Sequence, residues 1–283
     1  MATSPAMNLS LRKFDMKKIP QDAVCIFIGK RRTGKSTLVR DLLFYHQDMP
    51  VGTVISGTEE CNKFFSKIIP PLFIHYDYNP LILDKFCKLQ RLKKQRIQEE
   101  KERFGENYKS QIDPRAFMIL DDCGYAADDW TRDKNVKFLF MNGRHIGVFF
   151  LITMQYPLGI NPSLRTNVDF VFILREPNVN NRKRIYENYA TAFPTFEFFC
   201  QVMDQCTQDF ECLVIDNTTQ SNKLEDCIFW YKAELHPDFR IGSPQMWQYN
   251  ATNYKDKEEE SINQYDPSAS RKLKGPSIQI VKK

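Results

Sequence analysis

The sequence predicts an α/β protein with a mostly parallel sheet flanked by helices, and three observations carry that prediction. The run AVCIFIG from Ala23 is short and apolar and ends in glycine, as a strand buried on both faces does. The stretch that follows, KSTLVRDLLFYH, sets Leu38, Val39, Leu42 and Leu43 on one helical face. Apolar runs of strand length then recur, with helical stretches between most of them.

In chain order, strands are expected at VGTVIS (51–56), LFIHY (72–76), RAFMIL (115–120), GVFFLIT (147–153) and VDFVFIL (168–174). ECLVID and CIFWYKA flank the polar NTTQSNKLED and read as a late β-hairpin extending the sheet. In such a sheet, ligands bind at the carboxyl ends of the strands. Segment 84–110 breaks the rhythm: it is helix-prone and carries seven Lys or Arg against three Glu between Lys88 and Arg103. It reads either as a solvated helical face or as an element touching nucleic acid or a neighbouring subunit. The expected division is an N-terminal arm (1–21), one main domain (22–235) with 84–110 as a basic helical insertion, and a polar, flexible tail (236–283).

Composition excludes little. A net charge of +5 is small beside 40 basic and 35 acidic residues, so it does not by itself establish a nucleic-acid partner. The eight cysteines include no CxxC pair, and the equal gaps of Cys200, Cys206 and Cys212 match no common metal site, so they read as reduced thiols. The start of the chain lacks the apolar core of a secretory signal and no window is apolar enough to span a bilayer, so no membrane association is expected.

The informative stretch is GKRRTGKST, residues 29–37. Its glycines let the backbone curl so that successive N–H groups face phosphate oxygens, and the helix that follows adds its positive end. Gly29, Lys30, Arg31, Arg32, Thr33, Gly34, Lys35, Ser36 and Thr37 are therefore expected to cradle a nucleoside triphosphate, with Lys35 on the β- and γ-phosphates and Ser36 on Mg²⁺. Thr37 either caps the helix or meets the α-phosphate. Strand, glycine loop and helix together make the expected fold a P-loop NTPase.

Such a loop signals binding; hydrolysis needs an acid at the end of a buried strand. RAFMILDDCG supplies Asp121, placed to hold Mg²⁺, and Asp122, which either activates the attacking water or caps the next turn. The adjacent acids disfavour small-molecule kinases, and no NKxD-like tetrapeptide supports a GTPase, which leaves a water-attacking ATPase with ATP in the loop. Gln155, after LIT, is placed to sense the γ-phosphate.

GRHIGVFFLITMQYP followed by NPSLRTNVDFVF resembles the corresponding region of the FtsK–HerA superfamily of DNA-pumping ATPases. With GKRRTGKST, MILDD and the late FWYKA, the chain is most similar to the genome-packaging ATPases of large DNA viruses, over roughly residues 22 to 233. The resemblance implies a RecA/ASCE-like P-loop NTPase fold and an ATP-driven motor, a homo-oligomeric ring threading double-stranded DNA into a preformed capsid, docked on a capsid or portal-vertex protein in the host cytoplasm or virion. It also implies an arginine acting on a neighbour's γ-phosphate, with Arg144 the first candidate and Arg165 the second. Rival readings are a non-packaging DNA translocase and an ATP-switched capsid-assembly scaffold. One departure stands out: where the superfamily commonly has Asp-Glu, this chain has Asp121-Asp122, so Glu59 or Glu60 becomes an alternative water activator.

Overall fold

The computed structural model describes residues 9–123, 130–221 and 223–254. Eight strands form one sheet: β1 (Val24–Ile28), β2 (Gly52–Ser56), β3 (Ile74–His75), β4 (Ala116–Asp121), β5 (Val148–Met154), β6 (Phe170–Ile173), β7 (Glu211–Asp216) and β8 (Ile228–Lys232). Their order is β3-β2-β4-β5-β1-β6-β7-β8. The first six strands of that order run parallel, and β7 and β8 add on antiparallel as the late hairpin.

Alternate residues of the central strands serve two cores, one on each face, as the two-residue period of a strand requires. Val24, Ile26 and Ile28 of β1 and Phe150 and Ile152 of β5 meet α3 (Pro80–Phe104) and α4 (Lys134–Asn142). Cys25 and Phe27, with Phe149 and Leu151, pack instead with α1 (Lys35–Phe44). Leu38, Val39, Leu42 and Leu43 are the face that α1 buries, as its sequence pattern predicted. Burying each such side chain stabilises the fold by roughly 1.5–3 kcal/mol.

The second core corrects the expected tail. Phe239, Ile241 and Met246 are buried in it, Ile241 N–H donates to Ile68 at 2.9 Å, and a further helix spans Pro244–Asn253. The polar average of the segment concealed a few well-spaced apolar anchors. Residues 255–283 lie outside the described residues. The N-terminal arm docks on the same core through Phe14, Met16 and Ile19, and its backbone pairs with Trp230 of the edge strand β8, which covers an otherwise open edge.

Most of the basic insertion lies on a 25-residue helix, α3, which begins four residues before it. Asn79 caps it, Pro80 opens it and Gly105, at φ 102°, ends it. Leu83, Phe86, Cys87 and Gln90 are its only buried residues, so α3 packs along its first turns and carries most of its cations beyond them. No helix among the described residues is long and apolar enough to cross a membrane.

Candidate functional site

The glycine loop joins β1 to α1 at the carboxyl edge of the sheet. Gly29 still pairs with β5, its N–H donating to Met154 O at 3.1 Å. A Cβ there would lie 2.7 Å from Thr33 Oγ1 and 2.9 Å from Leu174 Cβ, so no larger residue fits. Arg32 (φ 64°) and Gly34 (φ 100°) take left-handed conformations that curl the loop, and Thr33 Oγ1 staples it by donating to Lys30 O at 2.8 Å. Gly34 opens α1 without a side-chain cap, and no acid occupies the first turn. The helix start therefore offers backbone donors and a positive dipole end to an anion. Thr37, which the sequence allowed as a cap, lies within the helix.

Lys35 is 8% exposed and folds back, its Nζ donating to Gly29 O at 2.8 Å and Lys30 O at 3.0 Å. Burial lowers its pKa, while Asp122 and Asp121 oppose that shift and Arg31 adds to it. Lys30 pairs at 3.2 Å with Glu176, a nearly buried carboxylate beyond β6.

The acids stand across from the loop. Asp121 ends β4 in register with Ser56 of β2 and Thr153 of β5. Both neighbours donate their hydroxyls to its carboxylate, Ser56 at 2.8 Å and Thr153 at 2.7 Å. Burial raises the Asp121 pKa, the two hydroxyl bonds oppose the rise, and the charge of Asp122 adds to it. Asp122 adopts φ 49° and its N–H donates to Thr153 Oγ1 at 2.9 Å. Its carboxylate accepts the amide of Gln155, Nε2 lying 2.7 Å from Oδ1 and close to Oδ2 as well. The Thr153 hydroxyl thus joins Asp121 to Asp122, and the Asp122 carboxylate in turn holds Gln155, with Lys35 close enough for both acids to act on its charge. The turn that Asp122 was alternatively expected to cap falls on 124–129, outside the described residues.

An ATP phosphate chain suits this cleft: the loop excludes side chains at Gly29, the helix start is uncapped and Lys35 is at hand. A hard divalent cation such as Mg²⁺ prefers oxygen donors, and the Ser36 hydroxyl and the Asp121 carboxylate are of that kind.

Other sequence candidates fall elsewhere. Arg144 pairs with Asp169 at 2.6 Å, and Asp169 in turn accepts the Val24 N–H. Val24 begins β1, so Arg144 sits at the amino edge of the sheet, away from its own loop by about the length of that strand, roughly 16 Å. Its side chain is 61% exposed. Arg165 is held within the subunit: Nε donates to Ile160 O at 2.9 Å, Nη1 bonds Asn188, and the guanidinium lies over Tyr189. Glu59, which opens the short helix α2 (Glu59–Asn62), is withdrawn as an alternative water activator, because its buried carboxylate accepts the N–H groups of Phe64, Phe65 and Ser66 at 2.8–2.9 Å. It shapes a loop. Sequence reasoning missed Ser56 and Thr153; the available signal was that each is a small hydroxyl residue at the end of an apolar strand.

No protein-family model matches the chain. An uncharacterized protein of Invertebrate iridescent virus 6 is 40% identical to it over 242 residues, covering 82% of this chain and 86% of that protein. Among solved structures, the genome packaging NTPase of Sulfolobus turreted icosahedral virus 2 in complex with sulfate has a TM-score of 0.51 at 16% identity, covering 77% of this chain and 100% of that one. EssC (ATPases 2 and 3) from Geobacillus thermodenitrificans has a TM-score of 0.53 at 15% identity, covering 85% of this chain and 45% of that one. At these identities the two structures speak for the fold.

Proposed function

The chain belongs to a protein family of large DNA viruses built on the FtsK–HerA-like P-loop ATPase fold, and from that premise we propose that it is an ATP-driven double-stranded DNA translocase that packages a viral genome into a preformed capsid. The observation that carries the reading is the linked set Asp121, Thr153, Asp122 and Gln155, facing an uncapped phosphate loop. A nucleotide-binding scaffold has no need of two adjacent acids, one of them bonded to an amide just beyond the neighbouring strand.

In this reading residues 29–37 bind the phosphates, Lys35 exchanging its loop carbonyls for the β- and γ-phosphates. Ser36 and Asp121 would hold Mg²⁺, which supplies neutralisation of phosphate charge when bound. Ser56 and Thr153 orient the Asp121 carboxylate for that task. Asp122 accepts the proton of the attacking water. Gln155, which here donates to Asp122, is released to the γ-phosphate and water, so nucleotide state alters a contact between β4 and β5.

Arg144 is better suited than Arg165 to act on a neighbouring subunit: it is exposed, held by one ion pair, and on the edge away from its own loop. A guanidinium fork suits the charge of a transferring phosphoryl. A homo-oligomeric ring follows from that role. DNA contacts are proposed to be made by Lys and Arg side chains to phosphates, without base specificity and with strong salt dependence. Docking on a capsid or portal-vertex protein belongs to the same proposal.

The test is DNA-stimulated ATPase activity at low salt. Lys35→Ala and Asp122→Asn are each expected to lower turnover by at least about 100-fold. Arg144→Ala is expected to be inactive alone yet to regain activity when mixed with Lys35→Ala, because each variant supplies what the other lacks. Wild-type protein that binds ATP but turns over slowly with DNA present would favour a capsid-assembly scaffold and overturn the motor.

A further inference from the structure

We propose that Phe210 is the platform on which the base of the bound nucleotide stacks. The inference rests on the nucleotide-binding reading above and adds to it the base end of the site.

The phosphate loop divides the carboxyl edge of the sheet. On one side of β1 lie β5, β4 and β2, carrying Gln155, Thr153, Asp121, Asp122 and Ser56, which is the reacting end of a triphosphate. A nucleotide with its γ-phosphate there directs its base the other way, over β6 and β7. Phe210 stands on that side, immediately before β7. Its ring borders the loop: a Cβ on Gly34 would lie 3.6 Å from Phe210 Cδ1 and 3.8 Å from Leu174 Cδ2. Leu174 is buried beneath, whereas Phe210 is 65% exposed, so an apolar floor carries an aromatic ring open to solvent.

The backbone that presents the ring is strained. Asp209 (φ 47°) and Phe210 (φ 65°) are consecutive non-glycine residues in the left-handed region. A bulky side chain adopts that conformation at a cost, and such cost gathers where a side chain must be held in place for function. The same left-handed geometry recurs at Arg32 in the phosphate loop and at Asp122 among the acids.

The nearby amide is already committed. Gln208 accepts from Arg175 Nη1 at 3.3 Å and donates to Asp204 O at 2.7 Å. Stacking alone tolerates any base, because every base offers a π-face. The site is therefore expected to separate ATP from GTP weakly.

The experiment compares Mg²⁺-ATP, Mg²⁺-GTP and Mg²⁺-tripolyphosphate binding by calorimetry in the full chain. Phe210→Ala is expected to weaken both nucleotides about tenfold and leave tripolyphosphate unchanged. Phe210→Trp is expected to keep ATP affinity, with indole emission that responds to ATP and not to tripolyphosphate. Phe210→Gly relieves the strained backbone, so it should melt at least as high as wild type while binding ATP as weakly as Phe210→Ala, which removes misfolding as a cause. Equal ATP affinity in Phe210→Ala and wild type, or an equal loss for tripolyphosphate, overturns the stacking role alone. A wild-type chain with no affinity for Mg²⁺-ATP overturns the function reading along with it.

Discussion

The two ends of α1 bury polar side chains in opposite ways. At its start, Lys35 bonds only to loop carbonyls and faces two carboxylates across a cleft, one of them held by hydroxyls and the other by an amide. Near its far end, Asp41 is saturated within the fold: Tyr231 Oη donates at 2.6 Å, Glu234 N–H at 3.1 Å, and His236 Nε2 lies 2.5 Å from the other oxygen. The His236 ring also stacks on Phe44 at 3.7 Å. Both arrangements cost desolvation. At the loop that cost leaves groups able to change partners; at Asp41 it fastens the C-terminal segment to the helix, in a carboxylate buried away from any ligand.

The largest effects should separate the two ends cleanly. Lys35→Ala, inactive in turnover, is expected to melt no lower than wild type, because burial disfavours its charged form. Asp41→Ala should do the reverse, destabilising by about 3 kcal/mol through the orphaned His236 and Tyr231 while folded molecules keep their activity. A calorimetric melt beside an ATPase assay reads both; an Asp41→Ala protein with wild-type melting temperature would break the comparison.

A pH effect of similar size sharpens it. His46, just beyond α1, is 4% exposed, packs on Phe149, and has no hydrogen-bond partner for either ring nitrogen among the described residues. Burial lowers its pKa from 6.5 to about 4. Between those values the unfolded chain binds a proton that the folded chain does not, so stability falls as pH drops below 6.5 and the loss is complete near 4. The loss should approach about 3 kcal/mol, and His46→Leu should flatten that part of a denaturation profile measured against pH. An unchanged slope in the variant would place the sensitivity elsewhere.

The smallest effect belongs to Tyr231→Phe. It removes one hydrogen bond from Asp41 and should cost about 1 kcal/mol in urea titration. ATPase activity should not change; a fall would tie the far end of α1 to the chemistry.

Much of the site was legible because its parts are contiguous or mark strand ends. Residues 29–37 carry their spacing within nine positions, and Asp121 and Gln155 each follow an apolar run. Ser56 and Thr153 were not legible as partners of Asp121, because strand order and register bring them to it. Glu59 looked as available as any exposed acid until three backbone N–H groups claimed it. His236 lies 195 residues from Asp41, and no local pattern announces such a pair.

By itself the sequence determined the alternating strands and helices, the phosphate loop and the acids at a strand end, since each depends on side-chain period or on backbone freedom within a few residues. Tertiary structure alone decided which hydroxyls hold Asp121, that Arg144 stands away from its own loop, that Phe239, Ile241 and Met246 anchor residues 236–254 in the core, and that a strained Phe210 borders Gly34. Those outcomes depend on burial and on contacts between distant segments, which form only when the whole sheet closes between its two cores.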